Sequence, residues 1–101
     1  HREIGDRSSE GLDLGNLGNA YAALGETRKA IEHYGQRLII AREIGDRRGE
    51  ANALFNSSLV LFDLGKNSEA IEKAEIALQI YEQIDSPYAD RVKQELAEWR
   101  R

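Results

Sequence analysis

Hydrophobic residues fall at three- and four-residue steps along most of this chain. Ala30, Ile31, Tyr34, Leu38, Ala41 and Ile44 trace one such stripe, and Ala70, Ile71, Ala74, Leu78, Tyr81 and Ile84 trace another. That spacing is one face of an α-helix. Polar punctuation separates the stripes. Gly25, Gly45 and Gly65 follow the last apolar residue of a segment, where a left-handed helix stop favours glycine. Helices are predicted from about Ser8 to Leu24, from Thr27 to Ile44, and again forty residues later, with Thr27, Asn67 and Asp46 as expected side-chain caps. A fifth helix is expected over about 87–100. It starts with Ser86 and Pro87, and Tyr88, Val92, Leu96 and Trp99 form its apolar stripe.

The pattern repeats. Residues 3–44 laid on residues 43–84 agree at sixteen of forty-two positions, and REIGDR occurs at both 2–7 and 42–47. A fixed period in the range of about 20–50 residues marks a stacked helical array. The expected architecture is all-α, in one domain. Residues 1–7 read as the tail of a preceding repeat, 8–45 as repeat 1, 46–85 as repeat 2 and 86–101 as a capping helix, apolar inside and polar outside. REIGDR reads as punctuation, holding a helix end, a glycine stop and an aspartate start. The first residue is His1, so the chain is expected to be a piece of something longer.

Residues 14–41, LGNLGNAYAALGETRKAIEHYGQRLIIA, resemble the tetratricopeptide repeat, and residues 54–81 resemble it more loosely. The family's small and large positions become Leu14, Leu17, Gly18, Tyr21, Gly25, Ala30 and Tyr34. The second unit has Leu54, Ser57, Ser58, Leu61, Gly65, Ala70 and Ala74. Gly18 and Ala30 are small where the two helices of a repeat cross, with Tyr21 and Tyr34 filling the volume beside them. The forty-residue period, the EIGDR joint and the QRL at 36–38 are similar to the long-repeat subgroup found in Pins-type adaptors and bacterial arrays. Arg37 stands where most repeats keep Ala, as the second unit does at Ala77.

The resemblance implies two helix–turn–helix repeats plus a capping helix in a short right-handed superhelix, with a concave groove that takes up a partner segment. Carried over by position, the groove presents Leu12, Gly15, Asn16, Asn19 and Ala22 from unit one. Unit two contributes Asn52, Phe55, Asn56, Leu59, Phe62 and Asp63. Asparagine both donates and accepts, so it can bond a peptide backbone whatever the side chains. Phe55, Leu59 and Phe62 form a second apolar stripe, surplus to packing within their own repeat. It is either covered by neighbouring helices or left as a groove floor for a partner. Arg37, with Arg42, Arg47 and Arg48, either meets an acidic partner or pairs with Glu43, Asp46 and Glu50 on a solvated rim. The lysines and arginines of the family's carboxylate clamp are missing from the matching positions.

Composition narrows the choices. There are no cysteines, so thiol chemistry, disulfides and zinc–thiolate sites are out, and a cytoplasmic setting is expected. A net charge of −4 argues against a nucleic-acid partner. No apolar run approaches the ~20 residues that span a bilayer. His33 has no second histidine at helical spacing, and the serines lack the context of an activated nucleophile. No catalytic residue, metal or cofactor is expected. The leading expectation is a non-enzymatic scaffold that binds a protein or peptide through Asn16, Asn19, Asn52, Phe55, Asn56, Leu59, Phe62 and Arg37. The alternative is a self-assembling module, a homodimer through an uncapped N-terminal face or the groove.

Overall fold

The computed structural model describes residues 4–101, and the positions of His1, Arg2 and Glu3 in the expected N-terminal tail lie outside it. Five helices follow in order: α1 (Ile4–Ala23), α2 (Thr27–Ile44), α3 (Arg47–Asp63), α4 (Asn67–Gln83) and α5 (Tyr88–Trp99). Each packs chiefly on its neighbours in sequence, α1 on α2, α2 on α3, α3 on α4 and α4 on α5. The all-α architecture of two helix–turn–helix repeats and a C-terminal helix is therefore in place.

One turn is used four times, every twenty residues. Gly25, Gly45 and Gly65 have φ of 79°, 72° and 82°, and Asp85 holds the same left-handed region at 55°. At each turn the next backbone N–H donates to a carbonyl five residues back: Glu26 to Tyr21, Asp46 to Ala41, Lys66 to Leu61 and Ser86 to Tyr81. These bonds satisfy carbonyls that a helix end otherwise leaves unpaired.

The helix starts differ from the sequence reading. Asp46 does cap α3, its carboxylate accepting from the Gly49 N–H at 2.9 Å. Thr27 and Asn67 do not cap; they are the first helical residues, preceded by Glu26 and Lys66, whose side chains make no capping bond. Ser86 Oγ accepts from the Tyr88 N–H at 3.2 Å at the start of α5. The first copy of REIGDR is not punctuation over its described part. Ile4 to Arg7 belong to α1. The second copy does break the chain, at Gly45. Its arginine has a structural job in both copies. Arg7 pairs with Glu10 and reaches Glu43 at the end of α2; Arg47 pairs with Glu50 and reaches Gln83 at the end of α4. Each arginine ties the first helix of its repeat to the end of the second.

The core is uneven. Its larger part joins α3, α4 and α5 through Leu54, Phe55, Ala74, Ala77, Ile80, Tyr81, Val92 and Leu96. A smaller cluster of Ala30, Tyr34 and Val60 ties α2 to α3, with Tyr21, Ala22 and Ile31 packed against it. Burying a side chain such as Phe55 contributes about 1.5–3 kcal/mol. Most of the apolar stabilisation therefore sits in the second repeat and α5.

Candidate peptide-binding cleft

Helix α1 carries Gly11, Gly15 and Gly18 on the side facing α2. A methyl group at Gly18 would lie 2.6 Å from Tyr34 Cε1, and one at Gly11 would lie 2.7 Å from an Arg37 guanidinium nitrogen. These glycines clear the space into which Tyr34 and Arg37 of α2 project. Gly49 on α3 clears the other side of the same guanidinium. Arg37 is accordingly buried, 7% exposed, and pairs with Asp46 at 3.5 Å. One of its terminal nitrogens has no hydrogen-bond partner. The solvated-rim reading is corrected for this residue. Its head lies between helices α1 and α3, and its stem lies against Gly15.

Above that stem, α1, α2 and α3 leave a cleft of about 120 Å³. It is lined by Leu12, Gly15, Asn16, Asn19, Tyr34, Arg37, Asn52, Ala53 and Asn56. The structure thus brings together all four asparagines singled out from the sequence. Two are oriented from behind. The Tyr34 hydroxyl donates to Asn19 Oδ1 at 2.6 Å, and the Tyr81 hydroxyl donates to Asn52 Oδ1. Burial pushes the Tyr34 phenol up from its usual pKa. Burial, reinforced by nearby Tyr88, pushes Tyr81 up further. Both phenols therefore stay protonated donors. Asn16 and Asn56, forty residues apart and equivalent by the repeat, have no side-chain hydrogen-bond partner among the described residues. Each presents an amide donor and an acceptor to the cleft. A metabolite pocket usually spans about 300–1,000 Å³. This cleft fits one side chain or a short run of backbone.

The remaining expected site residues are elsewhere. Phe55 is 1% exposed, in the core, with its ring edge-on to Tyr88 of α5 at 6.0 Å. Phe62 stacks on Trp99 of α5 at 4.6 Å, and Leu59 packs on the same core cluster. The stripe is therefore not surplus: α5 covers it, and these three residues hold α5 rather than floor an open groove. Of the four arginines, Arg37 pairs with Asp46, while Arg42 and Arg47 pair with Glu50. Arg48 has no carboxylate at ion-pair distance among the described residues. His33 is partly buried, its ring 5.0 Å from Tyr21 and its Nδ1 2.8 Å from the Lys29 carbonyl. Tyr34 and Ala53 line the cleft without having been expected there. The signal for Arg37's burial was present, in the glycines at 11, 15 and 49.

A tetratricopeptide repeat family model matches residues 9–83 of this helical array. The chain belongs to the tetratricopeptide repeat family. No curated protein matches it. Tetratricopeptide repeats are typically non-catalytic, and membership implies a protein-binding scaffold in general. Among the described residues no three His, Cys, Asp or Glu side chains converge as a metal site. No helix there is long and apolar enough to cross a membrane. In this tetratricopeptide pair the first helices α1 and α3 flank the cleft, and the second helix α2 forms its floor.

Proposed function

We propose that this chain is a non-enzymatic interaction module, of the long-repeat Pins-type or bacterial-array subgroup, working in the cytoplasm. It takes a peptide or helix of a protein partner into the α1–α3 cleft. The observation that carries the reading is the pair Asn16 and Asn56, both lining the cleft and, among the described residues, without a side-chain hydrogen-bond partner. The subgroup rests on the forty-residue period, and the compartment on the absence of cysteine. Asn19 extends the α1 wall and Asn52 the α3 wall. Arg37 serves from beneath, holding α1 and α3 apart at the width of the cleft. Phe55, Leu59 and Phe62 serve indirectly, by holding α5. Peptides selected against the chain should lose at least about tenfold in affinity on Asn16→Ala/Asn56→Ala, the loss of two or so hydrogen bonds. Unchanged affinity in the folded double variant rejects the cleft as the site.

Self-association is a second reading, favoured by one observation. Leu17 on α1 is 46% exposed and Leu24, just past its end, 73%, whereas Ser57 of α3, the equivalent of Leu17, is buried. A monomeric mass by light scattering across a tenfold or wider concentration range rejects it.

A further inference from the structure

Two of the turns lie side by side on one edge of the molecule. The α1–α2 turn and the α3–α4 turn are equivalent by the repeat, and each opens on a leucine exposed to solvent, Leu24 and Leu64. Between them α2, α3 and α4 leave a hollow of about 220 Å³, lined by Arg28, Ile31, Leu61, Leu64, Lys66 and Glu69. Ile31, Leu61 and Leu64 make its apolar part, and the other three carry charge. A second hollow over Gly25 to Lys29 adjoins it through Arg28. Neither shares a residue with the asparagine cleft.

The charges of the two turns are reversed. Glu26 and Lys29 of the first become Lys66 and Glu69 of the second, forty residues on. Glu26 and Lys29 pair only with each other, 3.4 Å apart and about half exposed, which holds them weakly. Lys66 and Glu69 make no ion pair among the described residues. Two copies that meet with equivalent turns together set Glu26 against Glu26 and Lys66 against Lys66, and repel. Two copies that meet first turn to second set Glu26 against Lys66 and Lys29 against Glu69, and a two-fold axis makes both pairs twice. We infer that this edge pairs with a second copy of the chain about such an axis, with Leu24 of each copy seated in the hollow of the other. The leucine covers the apolar part of the hollow, and the reversed charges decide which turn meets which. This inference rests on the self-association reading, and it puts the contact at the turns, away from Leu17 and with the cleft left open.

The test is mass by light scattering, over a tenfold or wider concentration range at low salt. The chains compared are the wild type, Glu26→Lys/Lys29→Glu, Lys66→Glu/Glu69→Lys and Leu17→Ser. All five positions are exposed, so the fold should hold, and helicity and melting temperature check it. The wild type should pass from monomer to dimer as concentration rises, and high salt should return it toward monomer. Each double variant gives its two turns the same charges and should dimerise at least about tenfold more weakly. An equimolar mixture of the two double variants restores every opposite pair and should dimerise as the wild type does. Leu17→Ser should match the wild type. A wild type that is monomeric throughout overturns the inference and the self-association reading together. Dimers that persist in both double variants, dimers lost with Leu17→Ser, or a mixture that stays monomeric overturn the inference alone and leave self-association standing through another face.

Discussion

The α1–α3 cleft and the α3–α5 seam are the same kind of place in the repeat, yet one is open and the other shut. The difference lies in where each repeat puts its bulk. Repeat 1 has glycine at 15 and 18 on its first helix and large side chains, Tyr34 and Arg37, on its second. Repeat 2 reverses this, with Phe55 and Ser58 on its first helix against Ala74 and Ala77 on its second. Total volume across each helix pair is roughly kept, as close packing demands. The side of the pair that carries it changes. Bulk on α2 leaves the α1 wall low and the asparagines open. Bulk on α3 gives α5 the ring of Phe55 to pack against, with Phe62 beyond it, and the seam closes. Function and stability are thus divided between two copies of one motif.

The sharpest way to break the comparison is to empty the closed seam. Phe55→Ala should cost about 3–5 kcal/mol in denaturant unfolding, because a cavity remains beneath α5. Leu12→Ala at the open cleft should cost under about 0.5 kcal/mol. Equal costs would mean that the two places are not different in kind.

The next test exchanges the bulk. Arg37→Ala should cost about 2–3 kcal/mol, since it breaks a mostly buried pair with Asp46 and empties the space between Gly11 and Gly49. Gly15→Phe should cost about 1–3 kcal/mol, because its Cβ would already touch Arg37 Cδ at 3.5 Å, an ordinary contact, and the ring beyond it must find space around that side chain. Together they imitate repeat 2, and the double variant should recover at least about 1 kcal/mol relative to the sum. Additivity would mean that the two positions do not share a volume.

Gly35 marks a smaller asymmetry. It sits in the middle of α2 with nothing within 4 Å of an added methyl group, where repeat 2 has Glu75. Gly35→Ala should gain about 1 kcal/mol from helix propensity alone, read as a higher denaturation midpoint at unchanged slope. The smallest effect appears only in alkali. Tyr81 holds its proton above the ordinary phenol value of 10.0 in the folded chain. Its contribution is fully present below that pH and is lost as the pH rises through the folded value. Tyr81→Phe should therefore flatten the fall of melting temperature above about pH 10, more than Tyr34→Phe does.

Much of this was legible in the residues. Gly25, Gly45 and Gly65 announced the helix stops, the apolar stripes announced the helices, and the asparagines that meet in the cleft could be named beforehand. The fate of Phe55, Leu59 and Phe62 could not be read, because periodicity shows that a stripe exists and not what lies on it. Their cover comes from Tyr88 and Trp99, about thirty to forty residues on. Arg37 misled because a charge is usually solvated. Its burial depends on Gly11, Gly15 and Gly49, on two other helices. In the first REIGDR, Ile4 to Arg7 run on as helix α1, where the same letters at 44–47 break the chain at Gly45.

The most direct measurement follows side-chain resonances by NMR while a selected peptide is added to the isotope-labelled chain. The account predicts that the side-chain amides of Asn16 and Asn56 shift and saturate with the peptide, while the indole N–H of Trp99, stacked on Phe62, stays where it is. A moving Trp99 indole with still Asn16 and Asn56 amides would place binding in the α3–α5 seam and contradict the account.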